Sequence, residues 1–372
     1  MTRIASHRAS SYSLHICITA TLVITLCACG ITSESKRYGK PLSKKDVMQD
    51  IVSHPKDEPL QLSGKNLSEL SLVKQNLEGA QLDYSSLRKA DLRGSNLSHA
   101  NLEASDLRDA NLENANLTGA NLRGANLTGA NLSDAIADGA DLSGANLADV
   151  TLHRTSLQNV SLTGASFLRA KFRETDFTGL VLRGSNFESA DLHEATFTRT
   201  DISEANFRNA TLEQVNLNQV DASRANFEKA NFIKCDMSGA NLHQAIFKDA
   251  VLQNIQLQGA TLDEANFSEA DLMRSNMDLV SAVHANFMWT YLTGAVMSNA
   301  NFSYANFSNA TLRETDLSKS NLGNATLMHT DLQNANLNRT NFNEANVRGA
   351  NMSGADLKAA IHFDTVRGLK EK

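Results

Sequence analysis

From Leu62 to Leu357 an apolar residue, almost always large, returns at every fifth position, without insertion or deletion, through about sixty units. The stretch ANLENANLTGANLRGANLTGANL, Ala110 to Leu132, shows the pattern at its most regular. Two places before each centre stands a small residue, usually Ala, Ser, Thr or Val. Just before it usually stands Asn or Asp, and the two residues after it are mostly polar and variable, the second often Gly. A helix repeats its apolar positions every 3.6 residues and a strand every 2, so a period of five belongs to neither. Three residues in extended form put the small residue and the centre on one side and the Asn on the other. The alternation then breaks, at residues that favour turns. The pattern predicts a chain that turns every five residues, curls around its own centres and stacks on itself to pair its backbone groups.

The phenylalanines set the size of the curl. Phe167, Phe187, Phe207, Phe227, Phe247, Phe267, Phe287 and Phe307 are all centres and lie twenty residues apart. Like rings in one column are what offset aromatic packing favours, so four units make one coil. About fifteen coils at about 4.8 Å each give a rod of roughly 70 Å. One coil alone buries too little to offset the ordering of its backbone, so stability has to come from stacking and the ends need covers. Three centres are alanine: Ala137, Ala222 and Ala282. Val220 and Val280 stand at the normally small positions of the last two and return the missing volume. Ala137 has no such partner, and its neighbour Ile136 predicts a β-bulge at 135–138 that turns the isoleucine inward.

The A-(N/D)-L-x-x pattern resembles the pentapeptide-repeat proteins over about four-fifths of the chain. The resemblance implies an all-β fold. It would be a right-handed quadrilateral β-helix, a pentapeptide-repeat solenoid of about fifteen four-sided coils with a short N-terminal capping helix. The expected organisation is a signal peptide at 1–28, a tether at 29–42, a cap helix and linker at 43–59, the repeat solenoid at 60–357 and a C-terminal cap at 358–372. In the N-terminal cap Ser43 suits the helix start, Asp46 stands at the capping-box position, and Val47, Met48, Ile51 and Val52 form one apolar face. At the other end Ile361, Phe363, Val366 and Leu369 break the phase of five.

The first thirty residues carry an address. Arg3 and Arg8 precede a largely apolar run, Leu14 to Leu26, too short for a comfortable membrane span and suited to a signal-peptide core. Leu26-Cys27-Ala28-Cys29-Gly30 resembles a bacterial lipobox, which implies cleavage before Cys29 and lipidation of that residue, for example with palmitate. An ordinary secretory signal or an uncleaved anchor is the alternative. Gly30, in place of the Asp associated with inner-membrane retention, implies sorting to the outer membrane if the host has two membranes. Of four cysteines only Cys235 falls among the repeats, at a small buried position, so no disulfide framework is expected.

Charge and candidate chemistry narrow the function. Residues 61–357 carry 23 Lys/Arg against 34 Asp/Glu, with both signs interspersed. A nucleic-acid binder needs a basic stripe, and none occurs, so nucleic acid is not an expected partner. His99, His153, His193, His243, His284 and His329 all fall on outward positions, and His153 and His193 lie two coils, roughly 10 Å, apart, too far to share a metal. No histidine-backed nucleophile or phosphate loop is evident, so the chain reads as no enzyme, with no cofactor and no metal. One surface stretch is unusual: Leu279, Val283, Met288, Trp289 and Tyr291 put apolar and aromatic side chains on outward positions and form a candidate patch for an unknown protein partner. The expected function is a non-enzymatic, lipid-anchored scaffold or protein-binding rod of the bacterial cell envelope. The alternatives are a DNA-mimicking inhibitor of a topoisomerase, since some pentapeptide-repeat proteins bind DNA gyrase, or an accessory or effector of a secretion system.

Overall fold

The structure, a computed structural model, describes residues 37–55 and 58–368. The expected signal peptide, Cys29 and Leu369 lie outside the described residues. From Gln61 onward the backbone of nearly every residue that precedes a centre pairs in parallel with the residue twenty further on, beginning with Gln61–Gln81 and Asn66–Ser86, with a break at Ser156 and Ser161.

The unit centred on Leu97 shows how five residues satisfy five backbone donors. Asn96 N donates to Gln75 O of the coil below (2.9 Å), while Leu97 N and His99 N donate to Asn116 O (2.7 Å) and Thr118 O (2.9 Å) of the coil above. Ala100 N closes the turn onto Leu97 O (3.0 Å). The fifth donor, Ser98 N, goes to the side-chain Oδ1 of Asn96 (3.2 Å). Asn or Asp therefore recurs before the centre because its side chain supplies the one acceptor that the stacked backbone lacks. Its Nδ2 extends the same logic between coils, as in Asn96 to Asn76 Oδ1 (2.9 Å) and Asn341 to Asn321 Oδ1 (2.9 Å).

The second turn residue takes a left-handed backbone, as at His99 (φ 57°) and Gly119 (φ 65°). At several of these positions glycine also leaves room for the side chain one coil below. A Cβ on Gly119 would stand 2.7 Å from Nδ1 of His99, and one on Gly349 would stand 2.6 Å from Nδ1 of His329.

This backbone corrects the expected fold class. Among the described residues there is no extended strand and no sheet, and the all-β, right-handed quadrilateral β-helix is not what forms. The repeat is turn and irregular backbone joined by single-residue pairings, with one short helix outside it. The physical reason is local: only one residue per unit pairs before the turn begins, and the left-handed residue in each turn interrupts any longer extended run.

The centres and small residues fill the interior. Leu62 through Val347 are buried at the centres, with alanine, serine or threonine beside them. The eight phenylalanines of the twenty-residue series stack face to face, with centroids 4.6 Å apart for Phe187–Phe207 and 5.1 Å for Phe267–Phe287. At one end α1, Lys44–Ser53, begins at Ser43, whose Oγ accepts from Asp46 N (3.2 Å). Val47 is buried with the first centres, whereas Val52, expected on the apolar face, is 81% exposed. Residues before α1 lie along the coils: Leu42 N donates to Asn66 O (2.8 Å), and Asn66 Nδ2 donates to Gly39 O (3.0 Å). At the far end Phe363 meets Phe342 edge to face at 5.3 Å.

The β-bulge expected at 135–138 does not form. Ile136 keeps the common register, pairs with Asn116 and Ser156, and is 46% exposed. A bulge needs an extra residue, and this repeat has none to give. The core instead keeps an apolar cavity of about 10 Å³ lined by Ala137 and neighbouring centres, among them Leu132, Leu157 and Phe167. Val220 and Val280 are buried beside Ala222 and Ala282. Ala137→Leu is therefore expected to stabilise the protein by about 0.5–2 kcal/mol, as cavity filling does. Ala222→Leu should give no gain, because valine already holds that volume. Denaturant melts of the two variants check the pair, and a destabilised Ala137→Leu would mean that the coil cannot accept the larger side chain.

Candidate functional site

Many outward side chains are committed to the stack itself. Arg154 pairs with Asp134 one coil below (2.8 Å), and Arg169 pairs with Asp149 in the same way (2.6 Å). The hydrogen-bonded guanidinium in each pair holds the aspartate below the usual carboxylate range. Cys235 is buried, its thiol donates to Leu212 O, and burial pushes it up to about 12, which makes it an inert packing residue. Among the described residues no group of three or more His, Cys, Asp or Glu is placed to hold a metal ion, and no helix is long and apolar enough to cross a membrane.

The exception is one corner of the coils between Asp249 and Tyr291. Asp249, Glu269 and Trp289 are twenty residues apart and rise in one column of turn residues, all with a left-handed backbone (φ 59°, 62° and 60°). Tyr291 stands on the adjoining face, paired with Asp271 below it. Trp289, Tyr291, Asp249 and Glu269 line one open groove of about 480 Å³. Trp289 is 56% and Tyr291 55% exposed. Lys248 approaches Glu269 at 3.5 Å, and Asp271 accepts from Gln253 Nε2 (2.6 Å).

The structure places the other candidate residues differently. Leu279 is exposed, but it precedes Trp289 by ten residues, half a coil, and so occupies the opposite corner. Val283 and Met288 are half-buried. Val283 N donates to Asp263 Oδ1 (2.8 Å) and Met288 N to Asn286 Oδ1 (3.1 Å). On the corner between them His284 stacks on Tyr304 at 4.8 Å. Asp278, next to Leu279, is held below the usual carboxylate range by hydrogen bonds from Asn299 and Ser298. Of the five candidates, the groove takes Trp289 and Tyr291 and adds Asp249 and Glu269. The signal for those two acids was present in the sequence: 249, 269 and 289 share the phase that the phenylalanines reveal.

A stack of five-residue units, most of them sealed by an Asn or Asp side chain, defines a repeat protein built from one short module. The chain matches the family model for pentapeptide repeats in eight copies, over residues 61–98, 95–134, 210–249, 240–278, 283–318 and 320–358. A second model, for a pentapeptide repeat region, matches residues 130–207. The chain belongs to the pentapeptide-repeat family.

Among solved structures it is similar to the pentapeptide repeat protein Rfr23 of the cyanobacterium Cyanothece 51142, at 40% identity over 24% of this chain and 58% of that one, with a TM-score of 0.21. It thus spans a little over half the length of Rfr23. It is also similar to HetL, a pentapeptide repeat protein involved in heterocyst differentiation regulation in Nostoc sp. strain PCC 7120, at 25% identity over 87% and 94% of the two chains, with a TM-score of 0.15. A pentapeptide repeat protein of the Arabidopsis thaliana thylakoid lumen shares 33% identity over 31% of this chain and 67% of its own, with a TM-score of 0.14. No curated protein matches the chain.

Proposed function

We propose that this protein is a non-enzymatic, lipid-anchored rod of the bacterial cell envelope that binds another protein through its side. The observation that carries the binding role is the contrast along the surface. Paired charges and asparagine ladders tie many outward side chains to the stack, while Trp289 and Tyr291 stand exposed together beside carboxylates in one groove. Exposed aromatic side chains on a polar surface suit a protein interface. The anchor rests on the sequence Leu26-Cys27-Ala28-Cys29-Gly30 behind its apolar run. Membrane attachment then comes from the lipid on Cys29, with the outer membrane as destination in a host that has two.

The test is to express the full chain in bacteria with labelled palmitate, fractionate the cells, and run Cys29→Ala beside it. Wild type should be labelled and membrane-bound. Cys29→Ala should lose the label and leave the lipid-anchored fraction. Wild type that stays unlabelled and unprocessed in the cytosol would overturn the anchor and the envelope location together.

A further inference from the structure

We infer that the groove between Asp249 and Tyr291 is a receptor for a basic side chain, a lysine ammonium or arginine guanidinium presented by an exposed segment of a partner protein. The inference rests on reading the rod as a protein-binding surface and names what that surface recognises.

Charge complementarity selects the occupant. Trp289 and Tyr291 present two aromatic rings to one open space of about 480 Å³, and Asp249 and Glu269 line the same space. Aromatic faces carry negative potential and attract cations, tryptophan most strongly. Carboxylates in the same lining add a formal charge and a directed hydrogen-bond acceptor. An apolar or anionic ligand would gain from the rings and lose against the acids, whereas a cation with an aliphatic stem gains from both.

The groove already shows this preference internally. Lys248 reaches Glu269 at 3.5 Å, while Asp249 takes part in no ion pair among the described residues. Asp271, on the face below Tyr291, adds a third carboxylate within one coil of the rings. Lys229, one coil below Asp249 in the same column, pairs with Glu228 at 3.7 Å, so the corner stays net negative and Asp249 is left for an incoming cation. The size of the space suits one side chain and its backbone. Its column geometry, with Asp249, Glu269 and Trp289 rising coil by coil, suits a segment that runs along the rod.

Trp289 is the only tryptophan in the chain, so its emission reports this groove directly. The full-length protein is titrated with N-acetyl-arginine amide, N-acetyl-lysine amide, the neutral analogue N-acetyl-citrulline amide, and tetramethylammonium. A saturable change in emission is expected with the arginine or lysine probe and not with citrulline. Asp249→Asn with Glu269→Gln should weaken it about fivefold or more, and Tyr291→Leu about threefold, with thermal melting unchanged because all three positions face solvent.

Citrulline acting as well as arginine would overturn the assignment, because the charge would then be irrelevant. So would the absence of saturation with both basic probes. Saturation by tetramethylammonium alone would replace the partner side chain with a small quaternary amine and overturn it as well. A failed titration leaves the anchored rod to the palmitate experiment, and a failed anchor leaves this titration unaffected.

Discussion

Phe247→Ala is expected to destabilise the protein by about 3–5 kcal/mol, the usual range for removing a fully buried phenylalanine. Phe247 is completely buried and stacks between Phe227 at 4.9 Å and Phe267 at 4.7 Å. Its ring also approaches Phe232 at 5.7 Å. The substitution removes apolar contact in its own coil and interrupts an aromatic column that links coils above and below. Phe247→Leu, which installs the commonest centre, should lose markedly less, since leucine retains most of the buried surface. Because each coil contacts only its neighbours, the loss should show first as local opening around residues 227–267. Denaturant melts and amide exchange on the two variants check the prediction. A Phe247→Ala protein within about 1 kcal/mol of wild type would mean that the column fills space without linking coils.

The second large effect concerns a break in the ladder. Ser156 and Asp176 do not pair, nor do Ser161 and Val181, although Thr151–Lys171 and Ser166–Asn186 pair on the flanking faces. A cavity of about 90 Å³ opens there, lined by Ser156, Leu157, Asp176 and Leu180 among others. Leu180 gives the physical cause. It occupies a small-residue position, directly above Val160 in the same column, where neighbouring coils place Ala140 and Thr200. Half-buried between the coils, it props that corner open. Asp176 N and Val181 N therefore lack the backbone acceptors that Thr196 N finds in Thr175 O (3.0 Å) and Asp201 N in Leu180 O (3.0 Å) one coil on.

Amide exchange at Asp176 and Val181 should be at least about tenfold faster than at Thr196 and Asp201, because exposed donors exchange without an opening step. Leu180→Ala should slow both by letting the coils close. Equal exchange at the four amides in wild type would show that the ladder is continuous. Unchanged exchange in Leu180→Ala would move the cause to Phe167, Phe172 and Phe177, which follow one another as centres at the same level.

Much of the architecture could be read from spacing alone. A five-residue period without slips assigns every residue of the repeat to a centre, a small neighbour, a paired position or a turn. The phenylalanine series then sets the twenty-residue return, and the stacked rings obey it. These features follow from the chain because each rests on covalent spacing and on side-chain size at one position.

The all-β class was not legible, since a strand requires neighbouring residues to pair in succession. Whether they do depends on backbone angles in the turns, and here a left-handed residue intervenes in every unit. Ile136 misled for a related reason. Its side chain favours burial, but moving it inward would need a change of register that neighbouring coils on both sides forbid, and a small cavity is the cheaper outcome. The open corner at Leu180 likewise depends on which residue lies beneath it.

The groove divides along the same line. Trp289 and Tyr291 stood out as exposed aromatics, but Leu279 was joined to them only by nearness in sequence. Ten residues along this chain lead to the opposite side of a coil, while forty residues, from Asp249 to Trp289, lead back to the same corner. Sequence order thus decided which residues face outward. Stacking decided which of them meet, because contact between coils runs perpendicular to the chain and joins residues at multiples of twenty.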